Sequence, residues 1–151
     1  MKAFESVNEI LDFAIAAEQD AVVFYQQLAS EARQEDMKRV FEGFAGEEMI
    51  HKARLIRIKE EGSLRMDQQV IMDLNIGDYL TDVEPHPGIT YAEALVIAMK
   101  KEKAAFKLYM DLASYAGDPE MEKVFISLAQ EESKHKLRFE LEYDEYVLRE
   151  N

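Results

Sequence analysis

Cysteine is absent from the whole chain. That removes disulfides, cysteine zinc sites, thiolate iron–sulfur centres and cysteine nucleophiles, and it leaves oxygen and nitrogen as the donors to any metal. Helix breakers are scarce, with three Pro and six Gly among 151 residues that are 48% hydrophobic. This balance fits one helical domain with a well-filled core. No apolar run approaches the ~20 residues needed to span a bilayer. Met1-Lys2-Ala3-Phe4-Glu5 runs straight into a charged amphipathic pattern rather than a signal peptide, so a cytoplasmic protein is expected. Basic residues are the minority sign, 18 Lys and Arg against 31 Asp and Glu, for a net charge of −13. Such a surface argues against nucleic acid or an anionic membrane as partner, and solvated helix faces account for it.

What the chain does have is Glu47-Glu48-Met49-Ile50-His51, and the same Glu-Glu-x-x-His again at Glu131-Glu132-Ser133-Lys134-His135, 84 residues later. Positions i and i+3 of a helix share a face, so Glu48 with His51, and Glu132 with His135, each present a carboxylate and an imidazole together. Such donors can hold a divalent metal. Laid on itself at this offset, 6–55 aligns with 90–139 without a gap, pairing Glu18 with Glu102, Tyr25 with Tyr109, Phe41 with Phe125 and Ala45 with Ala129. The chain is an internal duplication. Each half carries one lone Glu, 30 residues before its Glu-x-x-His.

Ser6-Val7-Asn8-Glu9 reads as a capping box that opens a first helix near residue 7. Its apolar stripe is Val7, Ile10, Leu11, Ala14, Ala21, Tyr25 and Leu28, and Glu18 falls inside that stripe. A carboxylate aimed into a core is costly unless paired, protonated or metal-bound. The polar run 33–36 breaks the chain, and a second helix is expected from about 35 to Gly62, with Met37, Val40, Phe41, Phe44, Ala45, Leu55 and Ile58 inward alongside Glu48 and His51. The hairpin thus covers about 5–62. Residues 63–89 lose the periodicity and include Asp-Val-Glu-Pro-His-Pro-Gly at 82–88, with a short helix expected around Val70–Leu74. A connection of 27 residues far exceeds the ~2–8 that join adjacent antiparallel helices, so it predicts a crossover along the bundle. A second hairpin follows over about 90–149. Thr90-Tyr91-Ala92-Glu93 repeats the capping box, Leu95, Ala98, Ala105, Tyr109 and Leu112 flank Glu102, and Gly117-Asp118-Pro119 ends one helix and starts the next. The last helix carries Met121, Val124, Phe125, Leu128, Glu132, His135 and Phe139, and is expected to reach about Leu148.

Glu18 and Glu48 lie about equally far from the first hairpin turn, roughly 20 Å at 1.5 Å per residue, and Glu102 and Glu132 do the same about Gly117. They face each other within each hairpin. If the hairpins pack through a pseudo-two-fold axis, four Glu and two His converge, and two divalent ions neutralise the four carboxylates.

A Glu from each of two helices with Glu-x-x-His from each of the other two is the ligand set of ferritin-like di-iron and di-manganese bundles. The chain resembles that superfamily and, through both Glu-Glu-x-x-His motifs and the long crossover, looks most like the rubrerythrin group. The resemblance implies an all-α, ferritin-like four-helix bundle holding two iron ions, with manganese or zinc as the alternatives. It casts Glu48 and Glu132 as bridges, Glu18 and His51 as the rest of one site, and Glu102 and His135 as the rest of the other. It also implies reduction of hydrogen peroxide or O2 with electrons from an external donor protein such as a rubredoxin, and a homodimer, with exchange of hairpins between chains across the long linker as one arrangement. Two departures stand out. Rubrerythrins proper carry a rubredoxin module with four Cys, which makes erythrin-like proteins the closer comparison, and they carry a second Glu where this chain has Ala105. Ala21 stands at the equivalent place in the first half, so matching ligand sets and similar affinities for both ions are expected.

Tyr25 and Tyr109, seven residues after the lone Glu residues, are either core aromatics or donors to ligating carboxylates. Glu47 and Glu131, rotated ~100° from the ligands, are expected to be solvated or to form inter-helix ion pairs. His86 reads as a loop residue. Phe4, Tyr143 and Tyr146 lie outside the stripes and are expected at the surface of a homodimer. Beside the peroxide-reducing oxidoreductase stand three alternatives: Fe(II) oxidation or handling without turnover, a di-manganese catalase-like site, and a metal-free structural bundle.

Overall fold

Side-chain caps and turn glycines set most of the long-helix ends, though the second helix starts at Gln34 without a side-chain cap and the first ends at Ala32 in extended backbone. The computed structural model describes residues 3–81 and 86–150, so the Asp82–Pro85 part of the expected turn-rich stretch lies outside the described residues. Helix α1 spans Val7–Glu31, α2 Glu35–Glu61, the short α3 Gln68–Asp73, α4 Tyr91–Tyr115 and α5 Pro119–Glu150, with a 3-10 turn at Ile76–Tyr79. Thr90 and Glu93 form the full reciprocal capping box. At the first helix only half of it forms. Ser6 Oγ accepts from the Glu9 amide at 3.1 Å, but the Glu9 carboxylate reaches one residue further back, to the Glu5 amide at 3.0 Å. Gly62 ends α2 at φ 62°, and the Ser63 amide bonds back to the Ile58 carbonyl at 3.1 Å. Gly117 at φ 70°, then Asp118 accepting from the Glu120 amide at 3.0 Å, turn the chain from α4 into α5.

Within the first hairpin, Lys59 bonds Asp12 at 2.6 Å and Lys52 bonds Gln19 at 2.8 Å, a register that makes α1 and α2 antiparallel. Tyr25 donates to Glu102 and Tyr109 to Glu18, so α1 and α4 are also antiparallel. The ring of Phe41 packs on Phe139 at 5.9 Å while His51 meets Glu131, which sets α2 antiparallel to α5. Hence α2 and α4 run the same way, and the crossover between them must return along the bundle. The result is an all-α, ferritin-like four-helix bundle.

Two apolar clusters fill it, one on each side of a polar layer. At one end Phe4, Ile10, Leu55, Leu112 and Phe125 pack with crossover residues Leu64, Ile71, Leu74 and Tyr79. At the other, Tyr25, Leu28, Phe41, Leu95 and Phe139 do so. Between them lie Glu18, Glu48, His51, Glu102, Glu132 and His135, each at most 2% exposed.

Two expectations change. Phe4 is buried rather than a surface aromatic, because the chain before α1 bridges to the crossover, Ala3 to Asn75, and seats the ring between Phe13 at 5.6 Å and Tyr79 at 6.4 Å. Tyr146 is half-buried, edge-on to Tyr91 at 5.0 Å. His86 lies in a loop and is exposed, as expected.

Candidate metal centre

Four helices each contribute at the same level: α1 brings Glu18, α2 Glu48 and His51, α4 Glu102, and α5 Glu132 and His135. Their ligand-type atoms form two groups, Glu18, Glu48, His51 and Glu132 in one, and Glu48, Glu102, Glu132 and His135 in the other, all within 4.8 Å of one another in each. Glu48 and Glu132 belong to both. Nδ1 of His51 stands 3.0 Å from Glu132, 3.3 Å from Glu48 and 3.6 Å from Glu18. Nδ1 of His135 stands 3.3 Å from Glu48 and 3.6 Å from Glu102. The imidazoles lie nearly parallel, 6.4 Å apart.

Buried polar atoms are normally hydrogen-bonded. Among the described residues, those left without a partner are Glu18 Oε2, Glu48 Oε1, His51 Nδ1, Glu102 Oε2, Glu132 Oε1 and His135 Nδ1. One atom of each candidate ligand is thus unsatisfied and turned to a common place, as a divalent metal pair would require. Hard oxygen donors with imidazole nitrogen suit iron, manganese or zinc.

The remaining polar atoms of Glu18, Glu102, His51 and His135 are held from behind by the opposite hairpin. Tyr25 donates to Glu102 Oε1, and Tyr109 donates to Glu18 Oε1, so each tyrosine is a core aromatic whose hydroxyl reaches a carboxylate of the opposite hairpin. Nε2 of His51 lies 2.7 Å from Glu131, and Nε2 of His135 lies 2.8 Å from Glu47. A carboxylate can only accept there, so each Nε2 carries a proton, and Nδ1 is the nitrogen that a metal would take on displacing any proton there. The inter-helix pairing expected as one alternative for Glu47 and Glu131 is met, with the two imidazoles as partners that sequence reasoning did not name. The signal was the doubled Glu at the same place in both repeats. Sequence reasoning missed Glu142, 4% exposed, which accepts from Tyr91 at 3.0 Å and pairs with Arg149 at 3.6 Å.

Without metal, the layer holds protons instead. Burial pushes the Glu18 carboxyl up to about 7, with the Glu48 charge adding to the effect and the hydrogen bond with His51 opposing it. Burial likewise raises Glu102, against the pull of His135, and raises Glu132 further with the charges of Glu102 and Glu48. Burial works against a charged His135, but the hydrogen bonds with Glu102 and Glu48 outweigh it and hold its pKa at about 11. His51 is raised in the same way, by Glu18 first.

A cleft of about 190 Å³ opens between α1 and α4, with Glu18, Glu48, Glu102 and Glu132 at its floor. Its walls include Ala17, Ala21, Ala104 and Ala105, and the crossover residues Tyr79, Leu80 and Thr81 border it. Both alanines that follow the lone Glu residues by one turn therefore face the approach to the centre.

Among the described residues no helix is long and apolar enough to cross a membrane. Searches of curated proteins and of solved structures return no significant match. The family model described as Rubrerythrin matches residues 9–143, a span that takes in most of each helix contributing to the polar layer and all six candidate ligands. The chain belongs to the rubrerythrin family.

Proposed function

We propose that the chain is a rubrerythrin-type oxidoreductase that holds two iron ions and reduces hydrogen peroxide, or O2, with electrons from a separate donor protein such as a rubredoxin. The supporting observation is the set of six unsatisfied buried ligand atoms, in two groups that share Glu48 and Glu132, whose four carboxylates form the floor of an open cleft. The family typically binds a di-iron centre. Glu18 and His51 would complete one position and Glu102 and His135 the other, and the four carboxylates balance two divalent ions. When bound, the ions supply two electrons together for reduction of an O–O bond. The chain supplies the rest. Tyr25 and Tyr109 fix the outer oxygens of Glu102 and Glu18, Glu131 and Glu47 hold the imidazoles in the ligating tautomer, and the cleft admits the oxidant. The proposed setting is the cytoplasm, where a reduced carrier protein is at hand.

Metal analysis of protein purified without added metal should find two iron ions per chain, and Glu132→Ala should hold fewer than one. Mixing the Fe(II)-loaded protein with H2O2 under anaerobic stopped flow should consume one H2O2 per two Fe(II), repeatedly with an added reductant. Two ions retained in Glu132→Ala would sink the shared-ligand assignment, and no reaction with H2O2 would sink the peroxide assignment.

A second reading, Fe(II) oxidation and handling without turnover, is favoured by one feature. Ala105 is a half-buried cleft wall where rubrerythrins proper carry a further Glu. A single round of oxidation that added reductant cannot renew would select it. Manganese in the purified protein would select the catalase-like alternative.

A further inference from the structure

We propose that the cleft between α1 and α4 receives the organic group of an uncharged alkyl or aryl hydroperoxide, which makes ROOH a substrate of the centre; this rests on the peroxide-reducing reading above. Size is the first argument. Hydrogen peroxide has two heavy atoms, and a water molecule occupies ~30 Å³ of liquid, whereas an apolar cavity of ~150 Å³ admits benzene. At about 190 Å³ the cleft has room for a phenyl-sized group.

Polarity is the second argument. The floor is made of carboxylates and Asp20, Thr81 and Lys101 also border the cleft, while Phe13, Ala17, Ala21, Leu80, Ala104 and Ala105 give its walls a large apolar share. Leu80 stays 56% exposed at the mouth, an apolar side chain at the point of entry. A route built only for water-like molecules gains nothing from such walls, since a hydrated solute loses hydrogen bonds on entering them. An amphiphile with one small polar end and an apolar body gains at both ends. Charge then narrows the class, because a chain carrying −13 disfavours organic anions over neutral guests.

The reaction balances as ROOH, two electrons and two protons giving ROH and water. The O–O bond would break with two electrons from a ferrous pair held by Glu18, Glu48, His51, Glu102, Glu132 and His135, leaving it ferric, and with two protons from solvent through the mouth of the cleft. The donor protein restores the ferrous pair.

The test begins with metal-free protein carrying 13C-labelled alanine methyls, titrated by NMR with 2-phenylpropan-2-ol, the alcohol formed from cumene hydroperoxide. Saturable shifts are expected at Ala17, Ala21, Ala104 and Ala105, with affinity at least ~tenfold lower in Ala104→Leu, in line with the discrimination that filling an apolar pocket gives. Ala17→Leu, at the exposed mouth, provides a second filled cleft should Ala104→Leu fold poorly. In the iron-loaded protein, either substitution should lower the ratio of kcat/KM for cumene hydroperoxide to that for H2O2 by about tenfold. Absent alanine shifts, unchanged binding in both variants, or an unchanged ratio would overturn the proposal. H2O2 reduction without alcohol binding or cumene hydroperoxide turnover overturns this proposal alone, and failure with H2O2 itself overturns the underlying reading as well.

Discussion

Each imidazole of the centre is gripped on its far nitrogen by a glutamate from the other hairpin, Glu131 behind His51 and Glu47 behind His135. Removing the charge while keeping an acceptor, as in Glu131→Gln, should weaken metal binding about 10- to 100-fold. Chelator competition measures this, and affinity unchanged in both Glu131→Gln and Glu47→Gln would refute the role. The ligand sets of the two positions match, but their surroundings do not. Phe44 stacks on His135 at 4.0 Å, while the repeat places Leu128 at the corresponding position. Arg54 approaches Glu131 at 3.9 Å, whereas its counterpart Arg138 turns to the Met37 sulfur at 3.3 Å. Ala105 and Ala21 leave both positions open on the cleft side. Introducing Ala105→Glu should therefore speed repeated peroxide turnover with an added reductant if the family's extra carboxylate is the missing element. Rapid turnover by the unaltered protein that Ala105→Glu slows would show the symmetric centre to be the working arrangement.

The helices hold the ligands in register through how they end as well as how they pack. Gly62 and Gly117 both adopt positive φ, and a methyl group at either would meet open space. Their replacement by Ala then costs only the left-handed backbone, about 1 kcal/mol each. Chemical denaturation of Gly117→Ala and Gly62→Ala should show that loss while metal content stays at the unaltered value, because neither residue touches the polar layer. No loss in either variant would mean that the turns readjust. The duplicated elements have also diverged as pairs. Val7 and Ile58 are apolar in the first half, and the equivalent Tyr91 and Glu142 are hydrogen-bonded to each other at 3.0 Å in the second. Changing one member of that pair alone would lose this hydrogen bond, a reason for both to differ together.

For the molecule as a whole, the metal-free layer couples folding to pH. Glu18 is raised from 4.5 to about 7, so the folded state keeps a proton that the unfolded chain has lost across that interval. That contribution is fully present below pH 4.5 and is lost as the pH rises through 7. His135, raised from 6.5 to about 11, extends the decline above pH 7. The Tm of the metal-free protein should thus fall from pH 5 to pH 9, and the stabilisation from added Fe(II) should grow with pH as ligands lose protons. A metal-free Tm that rises between pH 5 and 8 would contradict this. Helices α2 and α5, which carry the Glu-x-x-His motifs, also expose Met49, Ile50, Leu137 and Leu141. A homodimer covering such surface is the expected assembly. Light scattering at micromolar concentration should give twice the 17.5 kDa of one chain, and a monomer would refute it.

Local chemistry made much of this legible before any coordinates. Helical periodicity, caps and turn glycines depend on residues a few positions apart, and the duplication marked Glu18, Glu48, His51, Glu102, Glu132 and His135 as equivalent pairs on inward faces. The side-to-side packing of the two hairpins decided the rest. That Tyr25 serves Glu102 rather than its own helix's Glu18, that Glu131 holds His51 and that a cleft of this size stands over the ligands follow from the spacing and register between α1 and α4 and between α2 and α5, while Phe4 is buried because the chain before α1 meets the crossover. Periodicity says which face of a helix turns inward. It does not say which side chain of another hairpin it will meet, because that depends on how far each helix slides along its neighbour before the buried carboxylates find their donors.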